Sequence, residues 1–325
     1  MIARMAKPLI AACLLAAPML AAATPTQTRL IVPYPAGGAS DFLARAIQPL
    51  LSRSLGEPVI VENVGGASGA IGSRRMLQSP PDGHTLLLGS PNEAILVPMA
   101  NKAVPYKPGD FRLVGQITQA SVVLLGRPGL KAETMQQLAD DARRPGAKPL
   151  TYGSTGVGSL YQILGATLSR DLKINMVHVP YRGAAPLLTD LMGNVVDLAF
   201  LPVGGTTLSL IQEKKLKVYG LAQAERKAQI PQVPTLSESD PELKSFAYPN
   251  WAGLLVRADT PDAEVARLQK ALATALTDDT VRKAIESSGP DIAKPMDLQQ
   301  AKRFYQAQVE LFGKIIRDSG VSQSD

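Results

Sequence analysis

Twice the chain runs from an apolar, strand-like stretch through a glycine-rich loop into a helix: Leu30-Ile-Val-Pro-Tyr-Pro-Ala-Gly-Gly-Ala-Ser-Asp41 and Leu150-Thr-Tyr-Gly-Ser-Thr-Gly-Val-Gly-Ser159. The chemistry open to such a loop is capture of an anion. Backbone N–H groups without partners collect at a helix N-terminus, where the helix dipole favours negative charge. Glycine lets the main chain come close to whatever it holds. A single loop of this kind is more readily explained as a tight turn. Two of them, one in each predicted domain, point to a cleft that grips an anion from both sides.

Other chemistries find little support. The two histidines, His84 and His178, each sit inside a strand-like run. There is no His-Glu-x-x-His zinc motif, no Gly-x-Ser-x-Gly elbow, no phosphate loop ending in Gly-Lys-Ser/Thr and no calcium loop. A Ser-His-Asp triad is not excluded by composition, but no local motif points to one. The only cysteine, Cys13, lies in a segment expected to be removed, which leaves no disulfide, thiol nucleophile or thiolate metal site. No cofactor or metal is expected. Aromatic residues make up 5% of the chain, with one Trp, too few for base stacking along a nucleic-acid strand. The formal charge of +6 is a mild positive field suited to small anions. Glu213-Lys-Lys-Leu-Lys217 reads as a solvated turn, so no nucleic-acid partner is expected.

The elements that must position these loops follow from pattern. With 325 residues and 45% hydrophobic content, the chain can build two cores. Arg4 and Lys7 precede an apolar run from Pro8 to Ala22 and a cleavage-type Ala21-Ala22-Ala23. This reads as a secretory signal peptide over 1–23, too short in its apolar run to span a bilayer, and places the mature protein in the periplasm. Ile10-Ala-Ala-Cys13 has the look of a lipoprotein box, but the apolar run continues well past it, so no lipid is expected. Beyond the leader, strand-like runs (Arg29–Pro33, Pro58–Glu62, His84–Gly89, Arg112–Ile117, Val122–Gly126, Pro149–Gly153, Met176–Pro180, Val195–Leu201, Lys217–Ala222 and Gly253–Arg257) alternate with helical ones. The helices are predicted over Asp41–Leu55, Ala70–Gln78, Glu133–Arg143, Ser159–Arg170, Ala184–Met192, Pro261–Leu276 and Leu298–Arg317. The alternation predicts an α/β protein with mainly parallel sheets flanked by helices.

Several segments together resemble the Bug receptors, periplasmic solute-binding proteins of tripartite tricarboxylate transporters. They are Ile31 to Arg45, Val61-Glu-Asn-Val-Gly-Gly-Ala-Ser-Gly-Ala-Ile-Gly72, Pro81-Asp-Gly-His-Thr-Leu-Leu-Leu-Gly89, Tyr152 to Ser159, Val179-Pro-Tyr-Arg-Gly183, Val233-Pro-Thr-Leu-Ser-Glu238, and Trp251-Ala-Gly-Leu-Leu followed by Thr260-Pro261. Val64, Gly65 and Ser68 depart from the commoner Arg-Pro and double-glycine forms of the second segment. The resemblance implies a two-lobed periplasmic binding protein of type II topology, each lobe a mixed sheet flanked by helices, with the ligand in the cleft between. It implies a discontinuous first lobe, 24–123 with 244–325, and an inserted second lobe, 124–243, with crossings near Val123–Leu125 and Leu243–Phe246. It further implies a small carboxylate or dicarboxylate ligand, held largely by backbone amides and water, a monomer, and delivery to membrane permease subunits. No enzymatic activity is implied.

Carried onto this chain, the ligand-binding candidates are Tyr34, Ala36, Gly38 and Asp41 in the first loop and Ser154, Thr155 and Gly156 in the second. Ser90, Asn92, Tyr181, Arg182 and Asp197 are further candidates from neighbouring strand ends. Asp41 can equally cap its helix and pair with Arg45. Arg182 can clamp a distal carboxylate or stand solvated. Tyr34 and Tyr181 can line the cleft or pack in the core. Two other functions remain open at this point: a periplasmic enzyme acting on a small acid, and a ligand-sensing subunit of a signalling system.

Overall fold

The structure, a computed structural model, describes residues 27–319; the expected leader, its cleavage site and Cys13 lie outside the described residues. From the amino end the elements are β1 (Thr28–Val32), α1 (Ala39–Leu55), β2 (Val59–Asn63), α2 (Ala70–Leu77), β3 (Thr85–Gly89), α3 (Val97–Ala100) and β4 (Phe111–Gln119). The middle of the chain supplies β5 (Val122–Gly126), α4 (Met135–Arg143), β6 (Leu150–Ser154), α5 (Leu160–Asp171), β7 (Met176–Pro180), α6 (Ala184–Met192), β8 (Leu198–Pro202), α7 (Gly205–Gln212), β9 (Lys217–Leu221) and α8 (Leu236–Ser239). The last part is β10 (Trp251–Arg257), α9 (Asp262–Thr277), α10 (Asp279–Ser287), β11 (Asp291–Ile292) and α11 (Leu298–Ser319).

The strands form two sheets, in the orders β11-β4-β10-β3-β1-β2 and β7-β6-β8-β5-β9. In the first, β1 pairs in parallel with β2 and β3, while β10 runs antiparallel to both β3 and β4. In the second, β6 pairs in parallel with β7 and β8, while β5 runs antiparallel to both β8 and β9. β10 and β5 each reach their sheet from the other one, β10 lying between β3 and β4 and β5 between β8 and β9; in the first sheet the edge strand β11 also runs antiparallel to its neighbour β4. The first crossing is Ala120–Ser121 and the return runs through Tyr248–Asn250; Ala120 donates its N–H to the Asn250 carbonyl at 2.8 Å, so the two crossings lie side by side. Val123–Leu125, expected near the first crossing, lies within β5, and Phe246, expected near the second, stacks on Phe200 of β8.

The central strands are apolar on both faces, as strands covered by helices on both sides must be, whereas the edge strands β2 and β7 leave Ile60 and Val177 exposed. Leu30 and Val32 enter one cluster with Leu86, Leu88 and helices α1 and α9, while Ile31 and Leu87 point to the opposite face. Val123 and Leu125 likewise face α6 and α7, and Val122 and Leu124 the other side. That other side is one apolar body shared by both sheets, running from Ile31 and Leu87 through Phe312 and Ile316 of α11 to Leu164 of α5 and Phe200 of β8.

On α1 the buried stripe is Leu43, Ala44, Ile47 and Leu51, and Phe42 stands 45% exposed. On α11 it is Ala301, Tyr305, Phe312 and Ile316, with Leu311 on the solvent side. The helical turns at 92–100, together with α7 and α10, are not in the sequence-derived element list. Trp251 opens β10 directly after the return crossing, its indole N–H donating to Gln308 Oε1 at 3.0 Å.

Candidate functional site

The first corner of the site follows β1. Tyr34, Pro35, Ala36 and Gly37 lead to α1, whose N-cap Gly38 offers no side chain. Asp41 is buried, accepting from the Gly37 N–H at 2.9 Å and from Arg45 Nε at 3.0 Å. Burial alone would raise its pKa; the Arg45 and Gly37 hydrogen bonds outweigh that and hold the carboxyl below its ordinary value. Asp41 thus shapes its own loop. The N–H groups of Ala39, Ser40 and Asp41 have no hydrogen-bond partner among the described residues, so three donors stand free at the start of a 17-residue helix. Ala36 and Gly38 are exposed beside them.

The second corner follows β6. Ser154 is fully buried; its hydroxyl donates to the Gly156 carbonyl at 3.0 Å, accepts from the Gly156 N–H at 3.2 Å and meets His178 Nε2 at 2.7 Å. Burial pushes the His178 pKa down, so the ring is neutral and lends its Nε2–H to the Ser154 oxygen. Thr155 is half-buried and its hydroxyl has no partner among the described residues. Ser159 caps α5, accepting from the Gln162 N–H at 3.3 Å.

The two corners meet. Ser68, in the glycine-rich turn after β2, holds left-handed backbone angles (φ 52°, ψ 33°) and donates its hydroxyl to the Val157 carbonyl at 3.0 Å. Asn92, after β3, is buried and accepts the Leu160 N–H of α5 at 2.8 Å. Next to Asn92 lies Glu93, wholly buried. Its carboxylate accepts from the Tyr34 hydroxyl at 2.7 Å, the Ser90 hydroxyl at 2.8 Å and the Ser90 N–H. Burial raises the Glu93 pKa to about 7, against the lowering effect of those donors. Burial and the Glu93 charge hold the Tyr34 hydroxyl protonated, its pKa well above the usual tyrosine value. A cavity of about 510 Å³ beside β11, lined by Gln116, Gln119, Asp291 and Lys294 among others, shares no residue with these loops.

A family model described as the tripartite tricarboxylate transporter family receptor matches residues 43–321. The chain belongs to this receptor family. An Agrobacterium vitis protein encoded between ttuE and ttuC' is 35% identical over 300 residues, 90% of this chain and 84% of that protein. Among solved structures, the periplasmic binding protein BugD superposes with a TM-score of 0.82 at 27% identity, over 92% of this chain and 99% of its own. MatC from Rhodopseudomonas palustris, solved with malate, gives 0.81 at 27% identity, over 89% and 98%.

In this receptor, Tyr34, Ala36, Gly38, Asp41, Ser90 and Asn92 come together on the first sheet's carboxyl side, and Ser154, Thr155 and Gly156 on the second's. Tyr181 and Arg182 follow β7 on the same side of the second sheet. Tyr181 is tied to Asp190 Oδ2 at 2.8 Å, which together with burial raises its pKa to about 12, while Arg182 is exposed. Asp197 is not brought to the loops. It precedes β8, and β8 is parallel to β6, so Asp197 lies at the opposite end from Ser154. There it accepts from Arg127 Nε at 2.7 Å and from the Thr151 N–H and hydroxyl, each at 2.8 Å; despite its burial, these hold its pKa low. Three residues absent from the sequence candidates stand at the meeting point: Ser68, Glu93 and His178. Ser68 had a signal, as a departure from the family's double-glycine form, and Glu93 another, as a lone acid before the apolar run Ala94-Ile-Leu-Val97.

Proposed function

We propose that this receptor captures a small carboxylate or dicarboxylate in the periplasm, as a monomer, and hands it to the membrane permease of a tripartite tricarboxylate-type transporter. What carries this is the apposition of two strand–loop–helix corners, one from each sheet, joined through Ser68 to Val157 and Asn92 to Leu160. The three free N–H donors at α1 suit a carboxylate, and MatC with malate supports that class of ligand. In our reading the lobes are 24–123 with 244–325 and 124–243, and ligand closes one on the other. The leader is then removed before Thr24.

The test is titration calorimetry of the mature protein against malate, adipate and other mono- and dicarboxylates, with small-angle scattering on the tightest. Saturable binding and a smaller radius of gyration are expected. Folded protein that binds none of the panel at millimolar concentration would overturn the proposal. One contact favours an enzyme instead, Ser154 Oγ to His178 Nε2 at 2.7 Å. However, Ser154 is fully buried and its proton is committed to the Gly156 carbonyl, so it serves the loop's shape better than nucleophilic attack. Recovery of the bound acid unchanged after long incubation is the expected outcome.

A further inference from the structure

Glu93 supplies no donor to an anion, and its surroundings are unusual for a carboxylate. It is 0% exposed, and no Lys, Arg or His pairs with it among the described residues. The groups facing it are neutral: Tyr34 from the loop after β1, Ser90 from the end of β3, Tyr161 from α5 and Tyr305 from α11. Tyr106, from the segment before β4, donates to Glu93's own carbonyl at 2.8 Å. A Cβ on Gly69 would stand 3.4 Å from Glu93 Oε2, so the acid lies directly beneath the turn that carries Ser68 to the other lobe. Its chain neighbour Asn92 makes the other bond between the lobes.

We propose that capture of the ligand's carboxylate is coupled to uptake of a proton from solvent by Glu93. The proposal rests on the carboxylate reading above. A ligand anion drawn into the closing cleft meets an uncompensated carboxylate beneath the Ser68 turn and bonded to Tyr34 of the first loop, and in a water-poor site the two charges repel strongly. Adding a proton to Glu93 removes that repulsion. The cluster can hold either form. As a carboxylate, Glu93 accepts three hydrogen bonds; as an acid, it donates to the Ser90 or Tyr34 oxygen, whose hydroxyl rotates away, and the Ser90 N–H still donates to the other oxygen. With its pKa raised to about 7, Glu93 has the proton within reach at neutral pH. By linkage, affinity rises as pH falls through this range and weakens above it, by about tenfold per unit at full coupling.

The experiment is calorimetric titration of the wild-type protein at pH 7 with malate, or with the tightest ligand of the panel, in buffers of widely different ionisation heat. The change of binding heat with buffer heat counts the protons exchanged. Net uptake of a fraction of a proton up to one is expected, with affinity falling roughly tenfold from pH 6 to pH 8. Glu93→Gln should show no uptake and a flat affinity. Binding heat that is independent of buffer in the wild type overturns the inference while leaving the carboxylate reading intact. Uptake that persists in Glu93→Gln also overturns it and transfers the proton to another group, His178 first. Absence of any binding heat with every carboxylate refutes the carboxylate reading, and this inference with it.

Discussion

A Cβ placed on Gly156 would stand 2.2 Å from Ser68 Oγ, and its φ of +135° is one that side chains resist. Gly38 differs: its φ is −83°, and a Cβ there meets only the Pro35 carbonyl at 3.5 Å. Gly156→Val should therefore weaken ligand binding by about a hundredfold or more, whereas Gly38→Val should change it only a few-fold. Thr155→Ala removes one hydroxyl, on the order of 1 kcal/mol. Calorimetry on folded variants decides; a larger loss at Gly38 than at Gly156 would contradict this geometry. The sequence presents both positions as glycines in similar loops, and only the backbone angle separates them. Glu93 gives a second prediction. Its pKa in the folded protein, about 7, lies above its value in the unfolded chain. Its contribution to stability is therefore fully present below about pH 4 and is lost as pH rises through 7, on the order of 3 kcal/mol in all. The wild type should lose thermal stability relative to Glu93→Gln between pH 5 and pH 8, and parallel melting curves across that range would contradict it.

At the scale of elements, α1 begins without a capping side chain at Gly38, and Asp41 compensates from within the first turn by holding Gly37 N–H and Arg45. Asp41→Ala should destabilise the protein by about 1–2 kcal/mol, measured by chemical denaturation. Because the folded state holds the Asp41 pKa low, that contribution is present above the unfolded value near 4 and fades as pH falls through the native one. An equal wild-type advantage at pH 2 and pH 7 would contradict this role. Most helices and strands were legible from periodicity, but α7 was not. Its Gly-Thr-Thr opening is poor in helix propensity, and burial of Leu208, Leu210 and Ile211 holds it in place. By contrast, α10 carried readable signals: Asp278 caps it through the N–H groups of Thr280 and Val281, and Val281 and Ile285 lie one turn apart. Phe42 reads as core by its type, yet the stripe that turns inward is one residue on.

Across the whole molecule, a second set of contacts joins the two sheets away from the glycine loops. Lys227, in the segment after β9, reaches Asp291 of β11, Nζ lying 3.0 and 2.9 Å from its two oxygens, and Gln229 donates to the Glu286 carbonyl of α10 at 2.7 Å. The Lys227 side chain is only 3% exposed in this arrangement. Asp291→Ala would leave a buried ammonium without its partner in this arrangement. It should lower ligand affinity about tenfold and enlarge the unliganded radius of gyration, while Lys227→Met should retain near wild-type closure. Scattering curves for Asp291→Ala that match the wild type would argue against this latch. The two-core, strand-and-helix plan was readable from alternation and composition. The strand orders were not, because a local pattern does not say which strand returns from the other sheet; the family resemblance implied only the two-lobed topology and the regions of its crossings. Asp197 shows the limit of that resemblance, since an acid at a strand boundary reads the same at either end.

The position of β10 also bears on when the molecule can form. It lies in the first sheet between β3 and β4, yet the entire second sheet is made before Trp251 is reached. Until then β4 has no route to the strands made before it, and a nascent chain holds a sheet with its middle missing. Closing such distant pairs is slow. Synthesis can therefore run nearly to completion before there is a native state to fall into, which keeps the chain unfolded for most of the time it is being made.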